Sequence, residues 1–198
     1  MGFLDALLGR TRPVRPDLDR LFGIPSAAIT LQAGADLLPT GSGSVCFASV
    51  EGGAFATLRT EVQELLDADT GRGGVPVEFQ RDAYGYSWLL VRQPAEDTAS
   101  LVNDLHAVNT LLQEAGFGPQ LLCSLVSFHE TSGPGALALV YLYKRGTFYP
   151  FAPVPGAAER RDNALELTVR ALLADDLPME SDLSRWFPVW GAPGLTET

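Results

Sequence analysis

The chain has 198 residues, of which 46% are apolar and 19% are charged, and this composition is typical of one globular domain with a full core. Its formal net charge of −10 argues against a nucleic-acid partner, because contact with phosphates requires a basic surface. No apolar stretch has the length of a membrane span and no signal peptide is evident, so we expect a cytoplasmic protein.

Residues 1–15 predict a separate amphipathic segment. Its apolar side chains fall on one side of a short helix: Phe3, Leu4, Leu7 and Leu8. Burying these four side chains would contribute about 6–12 kcal/mol, and ordering about eight residues costs a similar amount. The segment alone would therefore make only a weak contact with a membrane or a partner. Docking onto its own domain is an open alternative.

The remaining residues, 16–198, predict a single domain. Its first half should contain a helix that Pro25 bends or interrupts, a strand over 43–50, a helix over 54–69, and a hairpin with strands in 75–80 and 84–91. Its second half should contain a helix from Asp97 or Thr98 to Gly116, a hairpin with strands in 119–130 and 136–144, and a helix over 160–176.

This order of elements predicts an α+β fold. Hairpins give antiparallel pairing, and the helices between them cover a face of the sheet. The second hairpin is apolar on both faces, so it should be central and covered on both sides. We expect an antiparallel sheet built from two hairpins plus a short strand, covered by helices. The aromatic C-terminal tail should pack on this body without regular structure.

The most unusual stretch is LALVYLYKRGTFYPFAP, residues 137–153, which holds the only lysine of the chain. One interpretation is the end of a core strand with two terminal charges. A second is a protein interface, in which aromatic side chains lie beside two cations. A catalytic lysine is a third, but it requires burial and a partner that the sequence does not place. The candidate partner-binding residues are Lys144, Arg145, Phe148, Tyr149 and Phe151, with Trp186 and Trp190 of the tail.

The sequence predicts no metal site and no cofactor. The possible soft ligands are Cys46, Cys123, His106 and His129, and no two of them stand at the spacing of a zinc site. We expect the two cysteines to be reduced and buried. A disulfide between them is an open alternative.

The sequence also lacks the local patterns of the common catalytic sites. It contains no nucleophile elbow, no dinucleotide-binding glycine pattern and no P-loop, so we expect a protein that is not an enzyme. The alternative is a small-molecule-binding protein or an enzyme with a pocket near His106, Lys144 and Glu166.

Several long segments resemble one protein family over nearly the whole chain. They include MGFLDALLGR at the start, DLHAVNTLLQEAGFGPQLLCSLVSF and LVYLYKRGTFYPFAP in the middle, and DLSRWFPVWGAPGL near the end. In these segments the chain resembles the PspA-associated protein PspAB family of bacteria and archaea.

This resemblance implies a place in the phage-shock type envelope-stress system, beside PspA, a coiled-coil protein that assembles on stressed membranes. It implies no active site. The expected function is a non-catalytic adaptor that binds PspA or a related membrane-remodelling partner, with a weak peripheral contact at the inner face of the cell membrane. The order of elements is also similar to YbjN proteins and type III secretion chaperones, from which the helix over 54–69 departs.

Overall fold

The computed structural model describes residues 16–48, positions 56, 57, 60, 62 and 64, and residues 77–195. The amphipathic segment 1–15 therefore lies outside the described residues, as does most of the helix expected over 54–69. The five described positions of that stretch are helical.

The centre of the fold is a six-stranded antiparallel sheet with the strand order β2-β3-β1-β4-β5-β6. The strands are β1 (Leu37–Ala48), β2 (Glu78–Arg81), β3 (Tyr86–Arg92), β4 (Leu121–Glu130), β5 (Ala136–Leu142) and β6 (Thr147–Phe151). β2 with β3 and β4 with β5 are the two predicted hairpins, and β1 pairs with one strand of each. The prediction of an α+β fold with an antiparallel sheet is confirmed.

Three described helices pack on one face of this sheet, which we call the helix-covered face: α1 (Ile24–Ala35), α2 (Thr98–Leu112) and α3 (Asn163–Leu172). A 3-10 helix, Leu18–Gly23, precedes α1. Pro25 stands in the first turn of α1, where the missing N–H breaks no hydrogen bond within the helix. The Asp97 side chain caps α2 by accepting a hydrogen bond from the Ser100 N–H. Local signals in the sequence thus predict these helices.

The first strand is longer than predicted and contains an irregularity. β1 begins at Leu37 rather than near residue 43, and its register with β4 shifts between Pro39 and Gly43. Gly41 lies inside this bulge with φ of +79°, and a Cβ there would lie 2.1 Å from the Gln93 carbonyl oxygen. Only glycine fits such a position.

The sixth strand was not predicted as a strand. After a turn at Gly146 (φ +65°), residues 147–151 pair with β5. Pro150 is tolerated because β6 is an edge strand in the main sheet. The outer side of β6 bonds to the segment beyond α3, where Phe148 N–H donates to the Pro178 carbonyl and Glu180 N–H donates to the Phe148 carbonyl.

Each face of the sheet carries its own apolar core, because successive side chains of a strand point to opposite faces. On β5, Leu139 and Tyr141 belong to the core under the helices, whereas Ala138 and Val140 belong to the other core. The second face is covered by residues 183–195, which we call the tail. Its inward side chains are Trp186, Val189, Ala192 and Leu195. We call this the tail-covered face.

Candidate functional site

The tail does not cover its face completely, and a groove of about 650 Å³ opens beside it. The floor consists of side chains from the central strands: Cys46, Trp88, Leu122, Cys123 and Leu142. One wall is the β2–β3 hairpin, with Asp82, Tyr84 and Tyr86, and the other is the tail, with Arg185, Phe187, Pro188, Val189 and Trp190. Lys144, Arg145, Tyr149 and Glu159 complete the lining.

Asp82 holds the hairpin wall in place. Its Oδ1 accepts hydrogen bonds from the backbone N–H groups of Tyr84 and Tyr86, both at 2.9 Å. Its Oδ2 accepts one from the indole Nε1 of Trp88 at 2.8 Å. Trp88 is buried by this arrangement, whereas Tyr84 and Tyr86 remain 60% and 44% exposed. The hairpin therefore offers two tyrosine rings to the solvent side of the groove.

The tail wall is held by contacts with β6. The Tyr149 hydroxyl donates a hydrogen bond to the Phe187 carbonyl at 2.8 Å, and burial raises the pKa of this hydroxyl. Trp186 stacks on Tyr149 with ring centroids 6.0 Å apart and donates from Nε1 to the Glu180 carbonyl. These bonds fix the backbone at Phe187, and its ring is 60% exposed beside the groove.

Three cationic side chains lie at the rim of the groove, and two of them form ion pairs with carboxylates. Arg145 Nε lies 2.8 Å from Glu180 Oε2, and Arg185 Nε lies 3.0 Å from Asp182 Oδ2. Burial opposes the charge of Glu180, but hydrogen bonds from Asp182 N–H, Thr147 and Arg145 together lower its pKa. Lys144 is exposed and makes no ion pair or hydrogen bond with the described residues. Of the three cations at the rim, Lys144 is therefore the one without a described ion pair.

The two cysteines lie opposite each other in the groove floor. Cys46 of β1 and Cys123 of β4 are cross-strand partners, and both are free and buried, as the sequence predicts. A hydrogen bond between the thiols and their burial raise the pKa of Cys46. The raised pKa disfavours the reactive thiolate of Cys46, and both side chains form part of the apolar floor of the groove.

The aromatic run does not form the exposed patch that an interface of its own would require. Phe148 and Phe151 are 0% exposed and Tyr149 is 1% exposed, since the sheet and its coverings enclose all three rings. Trp186 is buried as well. Phe148, Phe151 and Trp186 do not line the groove, and in this structure they offer no exposed ring to a partner.

Other members of the predicted set do reach the groove. Lys144, Arg145, Tyr149 and Trp190 line it, and its most exposed aromatic rings are Tyr84, Tyr86 and Phe187. Sequence reasoning missed these three as site residues. The alternation of Tyr84, Tyr86 and Trp88 was the available signal, because it places all three on one face of the hairpin.

The structure does not bring together the three side chains of the alternative pocket, His106, Lys144 and Glu166. His106 lies on α2, with Nε2 3.3 Å from Asp19 Oδ1 and its ring against Phe22. Glu166 of α3 is 2% exposed and accepts hydrogen bonds from Ala152 N–H and Arg161 Nε. Lys144 belongs to the groove on the opposite face of the sheet. The three side chains therefore do not share a site.

The described part of the chain contains no group of three or more His, Cys, Asp or Glu residues that could hold a metal ion. Among the same residues, no helix combines the length and the apolar character that a membrane crossing requires.

Comparison with known proteins assigns the family. The model of the family described as PspA associated protein B matches residues 1–194. The chain belongs to the PspAB family. The description of PspAB names an association with PspA and so indicates a protein partner. Neither the search of curated proteins nor the search of solved structures found a match.

Proposed function

We propose that this PspAB protein is a non-catalytic adaptor that binds PspA or a PspA-like protein through the groove between the β2–β3 hairpin and the tail. The observation that carries the proposal is the apolar floor of the groove, flanked by exposed aromatic rings. Exposed apolar surface of this kind marks sites of interaction in soluble proteins, and tyrosine and tryptophan are enriched among the residues that dominate binding energy.

The contacts around the groove support a preformed site. Asp82 fixes one wall through three hydrogen bonds, and Tyr149 and Trp186 fix the other. A partner therefore meets walls that are already ordered, which lowers the entropic cost of association. The rings that would contact it are Tyr84, Tyr86 and Phe187.

The proposal places the protein in the cytoplasm, where it would modulate the action of PspA at the inner face of the membrane. Residues 1–15, as a separate segment with Phe3, Leu4, Leu7 and Leu8, would add a weak membrane contact. The net charge of −10 opposes binding to anionic lipids, so this contact should disappear as salt screens the few local cations.

The first prediction tests the groove with exposed residues. The double variant Tyr86→Ala plus Phe187→Ala should weaken the affinity for PspA about 10-fold or more, because each truncation of an interface anchor costs over about 1 kcal/mol. The dissociation constant is measured with immobilised protein and purified PspA. Urea unfolding of the variant confirms that its fold is retained.

Two exposed apolar residues outside the groove provide the matched control. Ile29 of α1 and Leu167 of α3 are 70% and 50% exposed, so Ile29→Ala plus Leu167→Ala removes a similar kind of surface from the helices. The control should bind PspA as the unchanged protein does. If the groove variant binds PspA as tightly as the unchanged protein does, the groove is not the binding site. If the unchanged protein does not bind PspA, PspA is not the partner.

A further inference from the structure

We propose that the groove takes an amphipathic α-helix of the partner, which buries apolar side chains on the floor and presents an acidic side chain to Lys144. This inference rests on the proposed function, because it specifies the partner surface that enters the same groove. It has two independent grounds: the hydrogen-bonding state of the groove and the charge of its rim.

The first ground is that no strand of the groove floor is free to pair with an extended peptide. Its floor comes from inner strands of the sheet, and β1 is paired on both sides, so no strand can be added there. The lining contains five tyrosine and tryptophan residues. Three of them already use their polar groups within the protein: Trp88 toward Asp82, Tyr84 toward Glu159, and Tyr149 toward the Phe187 carbonyl.

An extended peptide laid on this floor cannot pair with a strand, so backbone groups that it buries there lack the partners of a sheet, and each unsatisfied polar group that is buried costs about 1–3 kcal/mol. A helix satisfies its own backbone hydrogen bonds and presents only side chains at its surface. Helices that lay an apolar face into a hydrophobic groove are a recurring mode of recognition. The groove therefore favours a helix over an added strand.

The second ground is the free ammonium group of Lys144. The neighbouring Arg145 and Arg185 are paired with Glu180 and Asp182, whereas Lys144 has no such partner among the described residues. Asp82 and Glu159 hold hydrogen bonds from the hairpin wall. An incoming carboxylate thus finds an ammonium group without a described ion pair at the Lys144 end of the groove.

The acidic balance of the whole chain does not reverse this preference. At physiological ionic strength the Debye length is about 8 Å, so most of the −10 net charge is screened at the distance of a bound helix. The charge nearest to the helix then decides which side chain is accepted there.

The test uses the fact that Lys144 is the only lysine of the chain. A carbodiimide joins an amine to a carboxylate with no spacer, so treatment of the complex with PspA should link Lys144 Nζ to one acidic residue of PspA. Mass spectrometry locates the link. A synthetic peptide that spans this acidic residue should gain helical circular dichroism when the protein is added.

Three substitutions of Lys144 separate the effect of its charge on binding from the reactivity of its amine with carbodiimide. Lys144→Arg should keep the affinity for PspA and lose the link, because the guanidinium does not react. Lys144→Gln should weaken binding about 2- to 5-fold, as expected for one exposed ion pair, and should reduce the dependence of binding on salt. Lys144→Glu should weaken it further. Trp88 and Trp190 in the groove report occupancy by fluorescence.

The outcomes distinguish the two proposals. If PspA is captured and the capture requires Tyr86 and Phe187, but Lys144→Glu binds like the unchanged protein, the acidic-helix inference is overturned and the groove remains. A link to a peptide that stays non-helical on binding overturns the helix. Co-sedimentation with phosphatidylglycerol vesicles that depends on Lys144, without capture of PspA, assigns the site to lipid and overturns both.

Discussion

Tyr141 illustrates how a single buried polar group connects distant parts of this chain. Its ring is 0% exposed on the helix-covered face, and its hydroxyl donates a hydrogen bond to the Asp17 carbonyl at 2.9 Å. This bond ties the start of the described chain to the middle of β5. Burial raises the pKa of the hydroxyl to about 12, so the folded protein holds the proton more tightly than an unfolded chain does.

We predict that this residue makes stability fall at alkaline pH. The pKa of an unfolded tyrosine is about 10, so between about pH 10 and pH 12 the folded state keeps a proton that the unfolded state has lost. The contribution to stability is complete below pH 10 and is lost as pH rises toward 12. Tyr141→Phe cannot ionise, but it lacks a hydrogen bond worth about 0.5–1.5 kcal/mol.

The variant should therefore be less stable than the unchanged protein at pH 8, and this difference should shrink or reverse at pH 11. Urea unfolding at both pH values measures it. Tyr143 and Tyr149, whose pKa values are also raised, are present in both proteins and cancel in the comparison. A difference that stays constant with pH would contradict the assignment.

At the scale of elements, the tail replaces a layer of helices. Its residues 183–195 contain only a short 3-10 turn, Leu183–Arg185, yet they bury the second apolar face of the sheet. Arg161 helps to anchor it, because its guanidinium bonds to Glu166 and to the Trp186 carbonyl and lies over the Phe151 ring. An irregular segment can act as a layer when aromatic side chains supply the buried area.

Neighbouring residues of the tail should therefore differ strongly in their effect on stability. Trp186→Ala removes a buried ring and its hydrogen bond to the Glu180 carbonyl and should lower the free energy of unfolding by about 3–5 kcal/mol. Phe187→Ala removes an exposed ring and should change it by less than about 1 kcal/mol. Urea denaturation of both variants gives the comparison, and similar losses would refute the described packing of the tail.

For the whole molecule, the sheet with two covered faces is the unit of stability. β1 and β4 lie in its middle, and the cross-strand pair Cys46 and Cys123 lies between them. Both side chains lie in the groove floor but are only 4% and 8% exposed, so a bulky reagent reaches the sulfur atoms poorly while the tail stays in place. The hydrogen bond between the thiols and burial raise the pKa of Cys46, which slows the reaction of this thiol further.

We predict that both thiols react with a bulky disulfide reagent much more slowly in the folded protein than in the unfolded chain. The native protein should show strong protection, and both thiols should react at once in concentrated guanidinium chloride. The Trp186→Ala variant should react faster in native buffer, in proportion to its loss of stability. Immediate labelling of the unchanged protein would show that the groove admits the reagent without unfolding.

Local signals in the sequence determined most of the elements. The apolar residues on both faces of the second hairpin predicted cover on both sides, and Asp97 marked the start of α2. Such patterns depend only on the periodicity of strands and the unpaired N–H groups of helix ends. The α+β class and the covered central hairpin follow from them, and the resemblance over the whole chain gave the family.

Only the tertiary structure decided which aromatic residues are exposed and where the groove lies. Phe148 and Phe187 have similar local composition around them, yet one is enclosed and the other faces solvent. The groove combines Tyr86, Cys123, Lys144 and Trp190 from separate parts of the chain. Burial depends on what packs above a side chain, and no local pattern records that the tail crosses the sheet beside the hairpin.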